Sequence, residues 1–264
     1  MTWDHPLLAD RAKHLLAAAC GQAGSGVLLP ALYCAEVAED IEAAGVPVQV
    51  YDLGADLAPV RLPTDDRFRT LVWHQPFGRW LPPPPRDDLT VIQDACFGLR
   101  TALGMAAPPA GPLVVFSPRK EFLWPEGGLA VGDGTARLRG AVGADASVGA
   151  RWDRLDRAAE VARGLAADRA ARTALGPLLP PRTVASEVLT LLPLLSATRD
   201  ATIDRLRAKG VGAWCWQRPM PGCTADATPG ARWLWERLVF VPTPAPGSPV
   251  YPLLAAQDFE PWPA

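Results

Sequence analysis

Asp94 and Lys120 have reactive side chains and lie shortly after apolar segments of the sequence. Asp94 directly follows the run Thr90-Val91-Ile92-Gln93. A carboxylate at the end of a buried strand is costly without a donor or a cationic partner, so Asp94 is a candidate for binding a cationic group. Alternatively, Asp94 only caps a helix that begins at Ala95.

Lys120 closes the segment Ser117-Pro118-Arg119-Lys120, which follows an apolar run from Leu113 to Phe116. In a cleft, desolvation disfavours the ammonium form of a lysine, and the neutral amine is a nucleophile for aldehydes. The alternative is a basic turn at the surface. Tyr33 follows the first apolar segment, where its ring either lies over a flat cofactor or packs in the core.

Other reactive or aromatic residues have two interpretations each. His74 ends another apolar run and either contacts a substrate or is a hydrogen-bonded structural histidine. No HExxH or equivalent spacing is present, so we predict no metal site. Four tryptophans near the end of the chain predict an aromatic cluster in a core or interface, with a substrate-covering role as the alternative: Trp214, Trp216, Trp233 and Trp235.

The apolar pattern predicts the elements that position these residues. Helical periodicity covers 7–20 and 35–44, and short apolar runs predict strands at 27–29, 48–51, 70–73, 89–92, 113–116 and 128–131. Alternating strands and helices with tight connectors are typical of parallel βαβ units, in which ligand sites gather at the carboxyl ends of the strands. We therefore predict an α/β domain over 1–150, a three-layer, mainly parallel sheet flanked by helices.

Residues 151–264 have a different pattern, which predicts a small C-terminal α+β domain. The junction is expected in the Gly- and Ala-rich stretch 132–149. A charged, alanine-rich helix is predicted over 152–172, followed by a strand at 184–192, a helix at 201–209, strands at 211–216 and 238–241, and a helix at 248–256.

Composition argues against several classes of function. The 264 residues include 26 Lys and Arg against 28 Asp and Glu, a net charge of -2 without the excess that attracts nucleic acid or anionic membranes. The apolar runs fall short of the ~20 residues that span a bilayer, and the start is not typical of a signal peptide. The 5 cysteines include no CxxC pair. We expect a cytoplasmic protein with free thiols and no nucleic-acid or membrane partner.

Three segments, in this order, resemble the DegT/DnrJ/StrS family of aminotransferases. They are Val27-Leu28-Leu29-Pro30-Ala31-Leu32-Tyr33-Cys34, Val91-Ile92-Gln93-Asp94-Ala95-Cys96, and Phe116-Ser117-Pro118-Arg119-Lys120 followed by Glu126-Gly127-Gly128. The stretches 204–211 and 238–242 resemble the small domain of that family, so the resemblance covers most of the chain, with shortened connections. It implies the fold-type I architecture, pyridoxal 5'-phosphate as cofactor, and a homodimer with active sites at the subunit interface.

The resemblance also implies roles for individual residues. Lys120 would carry the cofactor covalently and move the proton between substrate and cofactor. Asp94 would face the ring nitrogen and keep it protonated, and Ser117 would hydrogen-bond the phosphate. Tyr33 would lie near the ring and Arg11 near the phosphate. The implied reaction moves an amino group from a small-molecule donor to the keto group of a sugar or related acceptor.

The chain also departs from the family pattern. Ala9-Asp10-Arg11 replaces a Ser-Gly-Thr-like turn that holds the phosphate, and Cys34 and Phe97 stand at two positions that contact the cofactor in the family. The segment between Val131 and Trp152 is short and rich in Gly and Ala. Two hypotheses follow: an active aminotransferase with an unusual substrate, or a catalytically degenerate paralogue that serves as a binding or scaffold subunit.

Overall fold

A computed structural model describes residue 3 and residues 6–84, 86–105, 113–122, 124–132, 134–143 and 145–263. In these residues the main sheet has seven strands in the order β1-β7-β6-β5-β4-β2-β3. Their bounds are β1 Leu7–Ala9, β2 Gly26–Pro30, β3 Val48–Tyr51, β4 Phe68–His74, β5 Thr90–Asp94, β6 Leu113–Phe116 and β7 Gly128–Val131. Strand β7 is antiparallel to both of its neighbours, and the other pairs are parallel.

Helices cover both faces of this sheet. Successive residues of β6 belong to different apolar clusters: Val115 packs in one, and Val114 and Phe116 in the other. Because successive side chains of a strand point to opposite faces, each face has its own core, as the three-layer prediction requires. The helices of this part are α1 Ala12–Gln22, α2 Ala35–Ala43, α3 Leu99–Leu103, α4 Pro118–Phe122, α5 Thr135–Leu138 and α6 Ala146–Asp153.

The rest of the chain adds a two-stranded antiparallel sheet of β8 Leu191–Leu195 and β9 Leu238–Pro242. Its helices are α7 Arg157–Leu175, α8 Arg199–Ala208, α9 Pro229–Arg237 and α10 Val250–Ala255. One apolar cluster includes residues of both sheets, such as Leu71 and Phe240. Each described helix is too short or too polar to cross a membrane.

Several predicted elements are wrong in detail. Leu7 to Ala9 form an edge strand instead of the start of a helix, because they pair with β7. The helix predicted over 152–172 is two helices, α6 and α7. The strand predicted at 184–192 begins only at Leu191, and 211–216 forms a single bridge from Trp214 to Phe240 instead of a strand. The helix expected from Ala95 starts at Leu99.

Candidate active site

A cavity of about 720 Å³ opens at the carboxyl ends of the central parallel strands. Tyr33 follows β2, His74 ends β4, Asp94 ends β5 and Ser117 follows β6. Parallel strands bring these positions to one edge of the sheet, although they are far apart in the sequence. All the residues singled out as site candidates line this cavity: Arg11, Tyr33, His74, Asp94, Ser117 and Lys120.

Asp94 lies on the floor of the cavity and is only 4% exposed. Its Oδ1 accepts a hydrogen bond from the backbone N–H of Cys96 at 2.9 Å, and its Oδ2 accepts one from the hydroxyl of Tyr33. These hydrogen-bond donors stabilise the buried carboxylate, and the next helix, α3, begins only at Leu99. The interpretation of Asp94 as a helix cap is therefore wrong, because its backbone donor lies in the turn before α3.

Lys120 lies in the short helix α4 and not in a turn. Its side chain is exposed to the cavity, and Nζ lies 3.9 Å from the centre of the Phe97 ring. The ring face attracts the ammonium group and holds the side chain over the turn that follows Asp94. The backbone N–H of Lys120 donates to the carbonyl of Ser117 at 2.9 Å.

Glu121, the residue after Lys120, was not recognised in the sequence. Its carboxylate is 5% exposed and accepts the backbone N–H groups of Leu99 at 2.6 Å and Arg100 at 2.9 Å. These amides begin α3 and have no partner within that helix. Glu121 thus fastens α4, which carries Lys120, to the segment that carries Asp94 and Phe97. Burial raises the pKa of Glu121 above its ordinary value.

The turn before α1 takes the place of the phosphate turn that the resemblance implied. Asp10 Oδ1 accepts from the Arg11 backbone N–H at 2.8 Å and contacts Nδ1 of His14 at 2.9 Å, and the His14 hydrogen bond lowers the pKa of Asp10. The Gly127 N–H donates to the Asp10 carbonyl at 2.7 Å. A Cβ at Gly128 would lie 2.6 Å from backbone atoms of this turn, so only glycine fits there.

Ser117, Tyr33 and His74 line the cavity beside Asp94. Ser117 is buried, and its hydroxyl lies 3.5 Å from the Gly127 carbonyl, a weak contact. The ring of Tyr33 packs edge-on against His74, with 5.1 Å between ring centres. Burial lowers the pKa of His74 to about 4, so at neutral pH its imidazole is uncharged.

Trp214 and Trp216 form one wall of the cavity. Both rings pack on Phe240 of β9, with 4.7 Å between ring centres in each pair. Trp233 and Trp235 lie on α9, where arginine side chains lie over their rings: Arg237, and Arg199 with Arg232. All four tryptophans pack against the same apolar core, and two of them, Trp214 and Trp216, face the cavity together with Leu191 of β8.

Comparison of the sequence with protein-family models and with curated proteins found no match in either case. Solved structures do resemble the chain. The DegT DnrJ EryC1 StrS aminotransferase from Brucella abortus has a TM-score of 0.67 at 15% identity, over 96% of this chain and 84% of that one.

Two further structures give the same result. The aminotransferase TlmJ from Streptoalloteichus hindustanus has a TM-score of 0.68 at 19% identity, over 90% of this chain and 80% of that one. The sugar aminotransferase CalS13 from Micromonospora echinospora has a TM-score of 0.64 at 17% identity, over 90% of this chain and 82% of that one. The chain therefore has the fold-type I architecture of these aminotransferases.

Proposed function

Because the chain has the fold of these aminotransferases, we propose that it binds pyridoxal 5'-phosphate and transfers an amino group to a keto sugar or a related small molecule. One observation carries the proposal: Lys120, Asp94, Ser117 and Arg11 line the same cavity. They supply an amine, a buried carboxylate, a hydroxyl and a guanidinium, which match the aldehyde, the ring nitrogen and the phosphate of the cofactor.

The cavity is lined by cationic side chains and also by the carboxylates of Asp10, Glu36 and Asp94. Among the described residues, neither Arg11 nor Arg119 forms an ion pair with a carboxylate, although the charge of Arg11 acts on Asp10, and both line the cavity with Lys120. Unpaired cations in a partly closed site attract phosphate and carboxylate groups, because the surrounding protein screens their charge less than water does. The residues present therefore fit the cofactor.

Each of these residues has a part in the proposed reaction. Asp94 would keep a proton on the ring nitrogen, and the cofactor when bound would supply an electron sink for the chemistry at the substrate carbon. Lys120 would hold the cofactor at its Nζ and would accept and return a proton at the same atom. Arg11 and Ser117 would hold the phosphate, and Trp214 and Trp216 line the cavity as well. We also propose that the protein acts as a homodimer in the cytoplasm.

Arg11 gives a direct test of the phosphate site. In the variant Arg11→Ala, we expect the affinity for pyridoxal phosphate to fall about tenfold or more, since a hydrogen bond to a charged group contributes about 1.5–3 kcal/mol. The affinity for pyridoxal, which lacks the phosphate, should stay the same. Titration of tryptophan fluorescence measures both, with Arg61→Ala as a control at an exposed position. An equal loss for both ligands would contradict the assignment.

A test of amino transfer itself separates the two hypotheses. The loaded protein is incubated with single amino acids, and the 2-oxo acid products are identified by mass spectrometry. Products that require Lys120 support the aminotransferase. The carboxylate of Asp10 beside the start of α1 favours the second candidate, a degenerate paralogue with a binding role, because it repels a phosphate there. Cofactor binding without product formation from any amino acid would support that candidate.

A further inference from the structure

Tyr33 and Asp94 make a buried contact that the proposed reaction does not yet use. The Tyr33 side chain is only 3% exposed, and its hydroxyl donates a hydrogen bond to Oδ2 of Asp94. The backbone N–H of Cys96 donates to the other oxygen, Oδ1. The Cys96 side chain also hydrogen-bonds this carboxylate, and the donors on its two oxygens together fix its rotation.

The contact leaves Asp94 able to accept a further hydrogen bond. A carboxylate offers about four lone-pair sites, and the donors from Tyr33 and Cys96 do not use all of them. Burial raises the pKa of Tyr33 well above its ordinary value, so its hydroxyl keeps its proton at neutral pH and can donate. Since Asp94 lines the cavity, its remaining acceptor sites are available to a ligand.

Several titratable groups packed around Asp94 are neutral at pH 7. Burial raises the pKa of Cys20, on α1, to about 12, and it also raises the pKa values of Cys96 and of Tyr51 at the end of β3. Burial lowers the pKa of His74, at the end of β4, to about 4. Lys120 lines the same cavity from α4. The donors in direct contact with the carboxylate are Tyr33 and Cys96.

We propose that Tyr33 is a positioning residue for Asp94: its hydroxyl fixes the orientation of the carboxylate toward the cavity, where it would meet the ring nitrogen of a bound cofactor. The part that concerns the ring nitrogen rests on the proposed function. The contact between Tyr33 and Asp94 does not depend on any ligand. This assignment differs from the role implied by the family resemblance, in which Tyr33 lies near the ring.

The test uses the cofactor-free protein with ¹³C-labelled aspartate carboxyl groups. NMR follows the Asp94 signal against pH in wild type, in Tyr33→Phe and in Tyr51→Phe. Tyr51 is a matched control, because it is also buried and its hydroxyl donates at 3.0 Å to the carbonyl of Val72 instead of to Asp94. We expect the Asp94 carboxyl signal to change position in Tyr33→Phe alone, since its Oδ2 loses a donor. The same Asp94 signal in all three proteins would overturn the proposal.

A second measurement covers the case in which Tyr33→Phe does not fold. Wild-type protein labelled at ¹³Cζ of tyrosine should show the Tyr33 signal moving together with the Asp94 signal, and by more than the Tyr51 signal moves. Independent behaviour of the Tyr33 and Asp94 signals would overturn the proposal as well.

Adding pyridoxal phosphate separates this proposal from the proposed function. We expect Tyr33→Phe to bind the cofactor about tenfold more weakly than Tyr51→Phe, as measured by the visible absorbance band. If no protein gives a band while the Asp94 signal still changes in Tyr33→Phe, the cofactor assignment fails and the positioning of Asp94 by Tyr33 stands. If both variants bind the cofactor with equal affinity and the Asp94 signal is unchanged, the role of Tyr33 is refuted and the proposed function is left intact.

Discussion

The Glu121 carboxylate should contribute to the stability of the folded protein, because its hydrogen bonds join α4 to the start of α3. In Glu121→Gln, the side-chain amide keeps one oxygen that accepts from Leu99 or Arg100, and its NH₂ group faces the other backbone N–H. A buried donor left without an acceptor costs about 1–3 kcal/mol. We expect the free energy of unfolding at pH 7 to fall by that amount in urea titrations. Glu42→Gln, at an exposed position of α2, should change it by less than about 0.5 kcal/mol.

The difference in unfolding free energy between wild type and Glu121→Gln should depend on pH, in a direction set by the pKa of Glu121. Burial raises the pKa of Glu121 in the folded state above 4.5, its ordinary value. The folded protein therefore binds this proton more tightly than the unfolded chain, so the contribution to stability is fully present at low pH and is lost as the pH rises through the folded-state pKa. The glutamine does not titrate. The stability difference between wild type and Glu121→Gln should consequently widen from pH 7 to pH 5, and a constant or narrowing difference would refute the reasoning.

Three further changes have expected outcomes. The imidazole of His74 should titrate near pH 4 by NMR, and a midpoint above 6 would exclude the buried environment. Because the folded-state pKa is lowered, the stability of the wild type should fall as the pH drops from 6.5 toward 4. The variant His74→Gln should lose that part of the pH dependence. The carboxylate of Asp52 accepts hydrogen bonds from the N–H groups of Gly230 at 3.2 Å and Ala231 at 2.8 Å, at the start of α9. Asp52→Ala should therefore lower the unfolding free energy by about 0.5–2 kcal/mol in urea titrations. Asp258→Ala, at an exposed position, should cause no measurable change. Gly128→Ala should lower the unfolding free energy by about 1–3 kcal/mol, because the added Cβ would meet the backbone of the turn before α1. Gly140→Ala, with open space around the position, should leave it unchanged. Equal effects of the two substitutions would argue against close packing at that turn.

The strands of the central sheet could be predicted from the sequence because their apolar runs are continuous. Val48–Tyr51, Leu113–Phe116 and Gly128–Val131 have the predicted bounds. The edge strand Leu7–Ala9 was missed because three residues beside a helical pattern give no separate period. Helix α4 was missed because Pro118 was interpreted as part of a turn, although proline is also favoured at the first position of a helix.

The candidate site was predictable in its residues but not in its contacts. Positions at strand ends converge in any parallel sheet, which is why Asp94, Ser117 and Tyr33 share one cavity. The partners of these residues depend on the fold. Tyr33 reaches a carboxylate 61 residues away, and Glu121 reaches an amide 22 residues away, so neither pattern exists in the local sequence.

The most direct test of the proposed function asks whether Lys120 binds pyridoxal phosphate. Purified wild type, Lys120→Ala and the control Lys209→Ala, at an exposed position, are mixed with the cofactor, and each sample is then reduced with borohydride and mapped by peptide mass spectrometry. We predict a visible absorbance band in wild type and Lys209→Ala, none in Lys120→Ala, and the reduced cofactor on the peptide that contains Lys120. No band in wild type, or the same labelling in wild type and Lys120→Ala, would contradict the account.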